Sequence, residues 1–484
     1  MKRLSYIIPA VMMFLITLPS SAQQNLRSGY FLDGYNYKYK MNPAMAPNRG
    51  FFAMPVLGNV GIGLESNLGL SDFLYPTESG RLTTFLSPRV SSEVFLSNIS
   101  DDNKSNMNLD LGIMALGFRT GKCFHTVDVS ARIDGGFNLP GGFFRFMKVG
   151  AADGNTTFDI SNLGMRLSSR LEVAYGISRS FLDESLRIGL RAKALLGLIR
   201  ADIAMDKMSM EMSSSRWAIE AHGQMHMSAP MSFKTKGETG NAENPAHKDV
   251  IDWSTPIDTD GLIENLKSPS LGFALDLGVT YDFLEYFTAS VAVLDMGMMS
   301  WKYSMTAETP TTSWEFTGFE SADMDQIGEQ LSSMTEDMMD AFNFEMKERS
   351  INQSLPLAMT VNAGIEARMP FYDRLAFGLL YTQRIEGAYS WSEGRVAATL
   401  TPVRWFSLTT NYAFSHFGHS WGGAFNINFP GFGIFVGMDS FAPLLNVTPQ
   451  YIPIDDLNTN LAFGINFLFG KYHGRYQKKD RSDK

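Results

Sequence analysis

A two-residue alternation of apolar and polar positions is the dominant pattern in this chain, and it is the period of a β-strand. It is clearest over residues 106–136, where Leu109, Leu111 and Ile113 alternate with polar residues before a turn at 119–122. A second strand with the same period follows the turn. A soluble β-sandwich and a membrane barrel both need one apolar and one polar face, so this hairpin alone leaves the fold class open.

The alternation recurs to the end of the chain and predicts about 14 strands. Many of these segments approach the length of about 9–11 residues with which a tilted strand crosses a bilayer. The predicted strands are 59–69, two within 106–136, 169–180, 186–191, 271–280, 287–293, 355–365, 375–381, 395–400, 406–414, 421–429, 432–438 and 461–469.

The connections between these strands alternate between short turns and long excursions. Outer-membrane barrels have this asymmetry, with short periplasmic turns and long extracellular loops. The two largest excursions, residues 201–267 and 301–350, are therefore predicted to be extracellular. In the first, 205–212 and 217–226 form a hairpin outside the membrane. In the second, apolar residues at helical spacing over 327–342 predict an amphipathic helix.

Charge separates cleanly between the two faces of the predicted strands. An Arg or Lys that faces lipid at mid-depth costs roughly 2–4 kcal/mol, so a membrane barrel must turn its charges inward. We therefore predict an all-β fold, a transmembrane antiparallel barrel over residues 59–470, rather than a large exported soluble β-protein. The charged residues predicted to line the lumen are Asp110, Asp128, Arg132, Asp134, Arg187, Arg191, Glu366 and Arg368.

Both ends of the chain carry further signals. Lys2 and Arg3 precede an apolar run and a small-residue site at Ala22, which is typical of a secretory signal peptide over residues 1–22. No internal apolar run is long enough for a membrane helix, so we expect export to the outer membrane.

The net charge of −9 disfavours nucleic-acid binding. The basic residues 471–484 predict a periplasmic tail.

The segment 23–58 is irregular and contains Asn42, Pro43 and Ala44 in sequence. Eight strands form a barrel that side chains can fill, and 16–18 leave a water channel. A barrel of about 14 strands therefore leaves space, and this segment is the candidate plug. The alternative is a periplasmic extension.

Methionines crowd the first excursion. Because methionine is flexible and polarisable, they suggest an adaptable surface that captures hydrophobic ligands, and the alternative is a hairpin packed on a neighbouring loop. No catalytic constellation, cofactor motif or metal-ligand pattern is present, so we expect neither an enzyme nor a cofactor. The capture residues are Met205, Met208, Met210, Met225 and Met227.

The export signal, the early Asn42-Pro43-Ala44 and the strands with long loops resemble the FadL-type transporters of hydrophobic compounds. The stretch GYNYKYKMNPAMAPNRGFFAMP looks most like uncharacterised exported outer-membrane barrels, a family of unknown function. More distantly, the pattern is similar to the PorV and PorP/SprF accessory barrels of type IX secretion. The FadL resemblance implies an N-terminal segment that enters the lumen and gates a route for hydrophobic molecules, with Asn42, Pro43 and Ala44 at or near the plug.

These observations predict an outer-membrane barrel that binds or transports hydrophobic small molecules. Its expected partners are outer-membrane lipid and those molecules. The alternative is a structural or secretion-accessory barrel that binds other envelope proteins without transport.

Overall fold

The computed structural model of the chain describes residues 25–77, 82–149, 156–212, 217–229, 233–242, 244–255, 269–309, 312–316, 343–441 and 459–474. The predicted signal peptide, the predicted helix at 327–342 and most of the predicted tail lie outside these residues.

The described residues are dominated by strands. These are β1 Gly50–Ala53, β2 Val60–Ser66, β3 Leu74–Pro76, β4 Leu82–Thr84, β5 Asp102–Thr120, β6 Cys123–Pro140, β7 Thr156–Asp159, β8 Leu163–Phe181, β9 Leu186–Met212, β10 Trp217–Ser228, β11 Ser270–Phe283, β12 Phe287–Glu308, β13 Thr312–Phe316, β14 Glu345–Pro356, β15 Met359–Met369, β16 Tyr372–Ile385, β17 Trp391–Val403, β18 Phe406–Ser415, β19 Gly418–Phe429, β20 Phe432–Met438 and β21 Thr459–Phe469. The described α-helices are short, at Leu70–Phe73, Ser92–Leu96, Gly141–Val149 and Lys236–Thr239. Within the described residues, no helix has the length and apolar character to cross a membrane.

The strands close into a barrel. β1 and β2 lie end to end and fill one position of the wall, because each pairs with β21 on one side and with β5 on the other. The other positions are taken in chain order by β5, β6, β8, β9, β11, β12 and β15–β21, each antiparallel to its neighbours. The described strands therefore form a closed antiparallel barrel of 14 strands, which confirms the predicted fold class and strand number.

Each wall strand presents one apolar and one polar face, as the alternation predicts. On β11, Leu275 and Leu277 are 41% and 47% exposed on the outside, whereas Ala274 and Asp276 are 1% and 0% exposed on the inside. An outer surface of this kind is suited to lipid, and a closed ladder leaves no strand edge unpaired there.

Two strands continue past the barrel at the end with the long loops. β9 and β12 contain 27 and 22 residues, more than a membrane crossing needs. Beyond the wall they pair with β7, β10 and β14, and β10 also pairs with β13. We call this extension the lobe. The predicted hairpin at 205–212 and 217–226 is present in it, as the end of β9 and β10.

Many strands extend beyond their predicted bounds, and two further differences change how the wall is built. The first wall strand begins at Gly50 and not at residue 59. The alternation of apolar and polar residues breaks off between β1 and β2, so the pattern predicts only β2. The predicted strand 355–365 is split, since β14 ends at Pro356 in the lobe and the wall strand β15 begins at Met359. Proline has no backbone N–H to continue the ladder, and this explains the break.

Candidate functional site inside the barrel

The barrel is occupied by its own N-terminal residues 25–49, which we call the inner segment. Its tyrosines at positions 30, 35, 37 and 39 are 1–3% exposed and belong to the largest apolar cluster of the described residues. The ring of Tyr35 lies 4.8 Å from that of Phe435, and the ring of Tyr37 lies 5.7 Å from that of Phe51. Aromatic burial therefore fixes this segment against the side of the lumen formed by β1, β20 and β21.

The Asn42-Pro43-Ala44 turn fits a niche in the opposite wall. Gly189 of β9 and Gly278 of β11 are paired across the sheet. A Cβ atom on Gly189 would lie 2.1 Å from the Pro43 carbonyl carbon, and one on Gly278 would lie 2.1 Å from Asn42 Oδ1. Only glycine at both positions lets the turn approach the wall this closely.

Side-chain hydrogen bonds hold the turn in its niche. Asn42 is fully buried, and its Nδ2 donates to the carbonyls of Val279 and Val291 at 3.3 Å each. Its Oδ1 accepts from the Ala44 amide at 3.0 Å, which closes the turn. Asn362 Nδ2 donates to the Met41 carbonyl at 2.9 Å. The three residues predicted at a plug therefore lie in the segment that fills the lumen.

A buried ion network covers the wall beside this turn. Arg191 lies 2.7 Å from Asp128, 2.8 Å from Glu172 and 3.1 Å from Asp276. Lys193 lies 2.7 Å from the same Asp276. These side chains are at most 4% exposed, so the charges compensate one another with little help from solvent.

The network extends to the inner segment. Arg132 lies 3.4 Å from Glu172, 3.6 Å from Asp110 and 3.8 Å from Asp295. Lys40 of the inner segment lies 3.2 Å from Asp110. The structure therefore brings the predicted lumen residues Asp110, Asp128, Arg132 and Arg191 together in one network, which also holds the segment inside the barrel.

A second ionic group lies nearer the long-loop end. Asp134 is 2.6 Å from Arg170 and 3.9 Å from Arg384. Arg166 pairs with Glu386, the residue after β16, and stacks 4.6 Å from the ring of Tyr389. The predicted lumen residue Asp134 is thus part of a separate, neighbouring cluster.

The beginning of the inner segment is tied by Arg27, which is 7% exposed. Its guanidinium pairs with Glu65 and lies 3.2 Å from Glu393 and 3.8 Å from Asp439. It also lies 4.8 Å from the Trp391 ring. Three wall strands therefore contribute to one anchor, because Glu65 is on β2, Glu393 is on β17 and Asp439 follows β20.

The remaining predicted wall residues lie nearer the short-turn rim, which is the end of the barrel where short turns join the strands. Arg187 and Glu366 are half-buried on β9 and β15. Arg368 Nη2 donates to the Glu285 carbonyl of a short turn at 3.1 Å. None of the pairs described above links these three residues to the buried network.

The network also contains Glu172, Lys193 and Asp276, which the two-residue period places on the charged inward faces of their strands. Asp295 could not be identified in this way, because it has a positive φ of 61° in a region where the β11–β12 register shifts.

The regular strand pairing is interrupted between β1 and β2, and we call this stretch the gap. Its backbone still bonds to both neighbours: the Met54 amide donates to the Ile465 carbonyl and the Ile465 amide to the Leu57 carbonyl at 3.0 Å each, and the Val56 amide donates to the Ile113 carbonyl at 3.3 Å. Val56 and Leu57 in this gap are 48% and 41% exposed. The adjacent strand β5 has a register shift between Gly112 and Met114, and the Gly112 amide donates to the Asn59 carbonyl at 2.7 Å. The gap between β1 and β2 and the register shift of β5 therefore lie side by side in the wall.

The inner segment closes this interruption from within. The Tyr37 hydroxyl donates to the Gly58 carbonyl at 2.7 Å and lies 2.6 Å from Asn466 Oδ1. Gly58 is the last residue before the buried Asn59, so the hydroxyl reaches the edge of the gap. The aromatic cluster thus lies directly behind the interruption.

The methionines of the lobe are packed inside it. All five residues predicted for ligand capture are at most 7% exposed. Three belong to a cluster with Phe158, Ile160 and Ile219, and the other two pack in separate clusters around Ile251 and Met305. In this arrangement they form cores of the lobe and not an open surface. The residues concerned are Met205, Met208, Met210, Met225 and Met227.

Comparison with known proteins identifies the family. The chain belongs to the family of unknown function DUF5723, which matches residues 43–439. The predicted resemblance to an uncharacterised barrel family is confirmed. A comparison with curated proteins finds no match.

The chain is also similar to solved barrel structures. The toluene transporter TbuX of Ralstonia pickettii is 8% identical, with 93% of this chain and 97% of that chain covered and a TM-score of 0.42. A Pseudomonas aeruginosa FadL homologue is 9% identical, with coverages of 93% and 99% and a TM-score of 0.39. The translocator domain of the autotransporter NalP from Neisseria meningitidis is 7% identical, with coverages of 88% and 89% and a TM-score of 0.30.

Proposed function

We propose that this protein is an outer-membrane barrel that carries hydrophobic small molecules from the lumen into the membrane through its interrupted wall. Residues 1–22 direct its export, the short turns face the periplasm, and the lobe faces the outside. The observation that carries the proposal is the gap between β1 and β2, which has apolar residues outside it and an aromatic cluster behind it.

The two sides of the lumen are chemically unlike, and this favours a route through the wall. The side formed by β5, β6, β8, β9, β11 and β12 carries the buried ion network, whereas Phe51, Phe435 and Leu468 of β1, β20 and β21 pack in the aromatic cluster. An apolar molecule gains about 25 cal/mol for each Å² removed from water. Beside the ion network it would instead disturb charges that depend on one another. The aromatic side is therefore the favourable path.

The inner segment acts as the gate in this proposal. Arg27, Lys40 and the Asn42 turn anchor it at three places on the wall. Between these anchors, Tyr37 holds the edge of the gap. A shift of the aromatic stretch, together with loss of the backbone hydrogen bonds that Met54, Val56 and Leu57 share with the neighbouring strands, opens a path from the lumen to the lipid while the ionic anchors stay in place.

The methionine cores of the lobe are the proposed capture site for an apolar ligand, which reaches them when these buried clusters open. Methionine side chains have three rotatable bonds and repack around irregular shapes. Met208 and Met225 therefore serve as adaptable walls when a ligand enters the lobe.

Dye uptake by intact Gram-negative cells tests the transport proposal. N-phenylnaphthylamine fluoresces in phospholipid and is excluded by an intact lipopolysaccharide leaflet. Cells that express the full chain should take it up several times faster than cells with an empty vector. Tyr37→Phe, which removes the hydroxyl at the gap, should raise the rate further. Equal uptake with and without the barrel would contradict transport.

A polar dye of similar size is the matched control, because a simple leak admits both dyes. Deletion of residues 25–49 should admit both, since it removes the gate and empties the lumen. Uptake of the polar dye that the full chain accelerates as much as that of the apolar dye would also contradict the proposal, because it indicates a simple leak.

The second candidate is a structural or secretion-accessory barrel. The observation in its favour is the lumen, which the inner segment and the ion network fill across the described residues. Absence of dye uptake together with a stoichiometric envelope protein in the purified complex would support this candidate.

A further inference from the structure

A cavity of about 260 Å³ lies between the inner segment and the short-turn rim. Gly34, Asn36, Asn48 and Arg49 form its wall on the side of the inner segment. The other walls come from the ends of strands and from the residues after β21. They are Arg404, Trp405, Asn428, Pro430, Leu468 and Tyr472. The cavity is distinct from the ion network described above, and it shares Leu468 with the aromatic cluster.

Positive charge converges on one side of this cavity. The Arg49 guanidinium lies 5.6 Å from the centre of the Tyr472 ring. Burial raises the pKa of Tyr472 to about 12, although Arg404, Arg49 and Arg374 all favour its ionised form. The carboxylate of Asp33 raises the pKa of the same hydroxyl. Two of these guanidinium groups, those of Arg49 and Arg404, belong to residues that line the cavity, whereas Arg374 and Asp33 lie near it without lining it.

These charged groups are held in place by the surrounding backbone and side chains. Arg374 Nη1 donates to the Pro402 carbonyl at 2.8 Å. Asp33 Oδ2 accepts from the Thr401 hydroxyl at 2.8 Å. Asp33 and Arg374 are thus hydrogen-bonded to the wall, and the charged residues that line the cavity itself are Arg49 and Arg404.

The other side of the cavity is apolar. Trp405 stacks on Phe429 with ring centres 5.1 Å apart and an angle of 21°, which fixes the orientation of the indole. Leu468 is 6% exposed and faces inward on β21. Pro430, in the turn after β19, completes this surface. A flat apolar body fits against such a wall, whereas a free inorganic ion would leave it unused.

We infer that this cavity binds a small organic carboxylate with a compact apolar body. Guanidinium groups recognise carboxylates through two parallel hydrogen bonds, and the indole and leucine cover the apolar part. Because the inner segment supplies Arg49 and the rim supplies Arg404, a bound carboxylate would join the two.

The inference goes beyond the transport proposal and does not depend on it. Binding is measured at equilibrium on the purified full chain and needs no flux. Failure of the dye-uptake experiment leaves this site intact, and failure of the binding experiment leaves the route through the wall intact.

Calorimetric titration of 2-naphthoate into the detergent-solubilised full chain tests the inference, with neutral 2-naphthamide as the matched ligand. We expect naphthoate to bind at least tenfold more tightly than naphthamide. Arg49→Gln and Arg404→Gln should each weaken naphthoate binding at least fivefold. Arg179→Gln is the control variant, because that arginine lies at another strand end, over Phe181.

Equal affinity for the two ligands, or unchanged affinity in both variants, would overturn the inference. A folded barrel migrates differently from an unfolded one on electrophoresis without boiling, and this check confirms that each variant is folded. The titration is repeated in nanodiscs of phosphatidylcholine and of phosphatidylglycerol. Binding retained in both supports a free carboxylate, whereas binding lost only with the anionic lipid would assign the cavity to a lipid headgroup.

Discussion

At the scale of single residues, two glycines decide how closely the inner segment approaches the wall. The two-residue period places Gly189 and Gly278 on inward faces, so their orientation could be predicted. Their pairing could not, because β9 and β11 are separated in the chain by the lobe and their register depends on the folded barrel. The niche for Asn42 and Pro43 is therefore a property of the assembled sheet.

Adding a methyl group in this niche should displace the gate. Gly189→Ala and Gly278→Ala each place a Cβ 2.1 Å from an atom of the turn, so the turn must move away from the wall. In planar bilayers we expect more frequent or larger conductance steps from both variants than from the unaltered protein.

Gly394→Ala is the matched control, since no atom lies within 4 Å of the added Cβ. It should behave like the unaltered protein. Identical currents from all three variants would show that the niche does not hold the lumen closed.

At the scale of elements, regular strands could be predicted and irregular ones could not. The hairpin of β5 and β6 and the inward direction of Asp110 and Arg132 follow from local alternation. The gap between β1 and β2 breaks the alternation, so the sequence shows only the second half of that strand. Asp295 was missed for the same reason, since a change of register removes the period that identifies an inward side chain.

The lobe contains an ionic contact between elements whose effect should depend on pH. Arg349 of β14 donates to both carboxylate oxygens of Glu238 at 2.8 Å and 2.7 Å, and these bonds lower the pKa of Glu238. Because the folded pKa lies below the unfolded value of about 4.3, the pair stabilises the lobe at neutral pH. That contribution is lost as the pH falls through the folded pKa.

Hydrogen exchange over 236–239, corrected for intrinsic rates, should therefore be faster at about pH 3 than at about pH 6. The pair is exposed and contributes about 0.2–1 kcal/mol, so the expected change is severalfold or less. In the Glu238→Gln variant, the difference in exchange rate between the two pH values should be smaller than in the unaltered protein. The difference that remains comes from Asp252, whose pKa is also lowered by hydrogen bonds. An acid response unaltered by this substitution would contradict the role of the pair.

At the scale of the whole molecule, the barrel follows from the sequence more directly than its contents do. Alternation and connection length predict a wall of about 14 strands from local information, and charge segregation predicts which face of each strand turns inward. The filling of the lumen depends instead on contacts between residues far apart in the chain, such as Lys40 with Asp110 and Arg27 with Asp439. The space left by a barrel of about 14 strands and the resemblance of the Asn42-Pro43-Ala44 stretch pointed to a segment inside the barrel, but not to these contacts.

If the outer surface faces lipid, the cost of a new charge must depend on its depth. Leu277 lies at the middle of β11 and is 47% exposed on the outside, whereas Phe283 is the last residue of the same strand. An arginine costs roughly 2–4 kcal/mol at the bilayer midplane and about 0–1 kcal/mol near the interface. We therefore expect Leu277→Arg to lower the free energy of unfolding in lipid vesicles several times more than Phe283→Arg. Denaturant titration followed by tryptophan fluorescence measures both values. In a β-protein whose outer face meets water, neither substitution would carry this cost, and equal small effects would exclude a membrane-spanning wall.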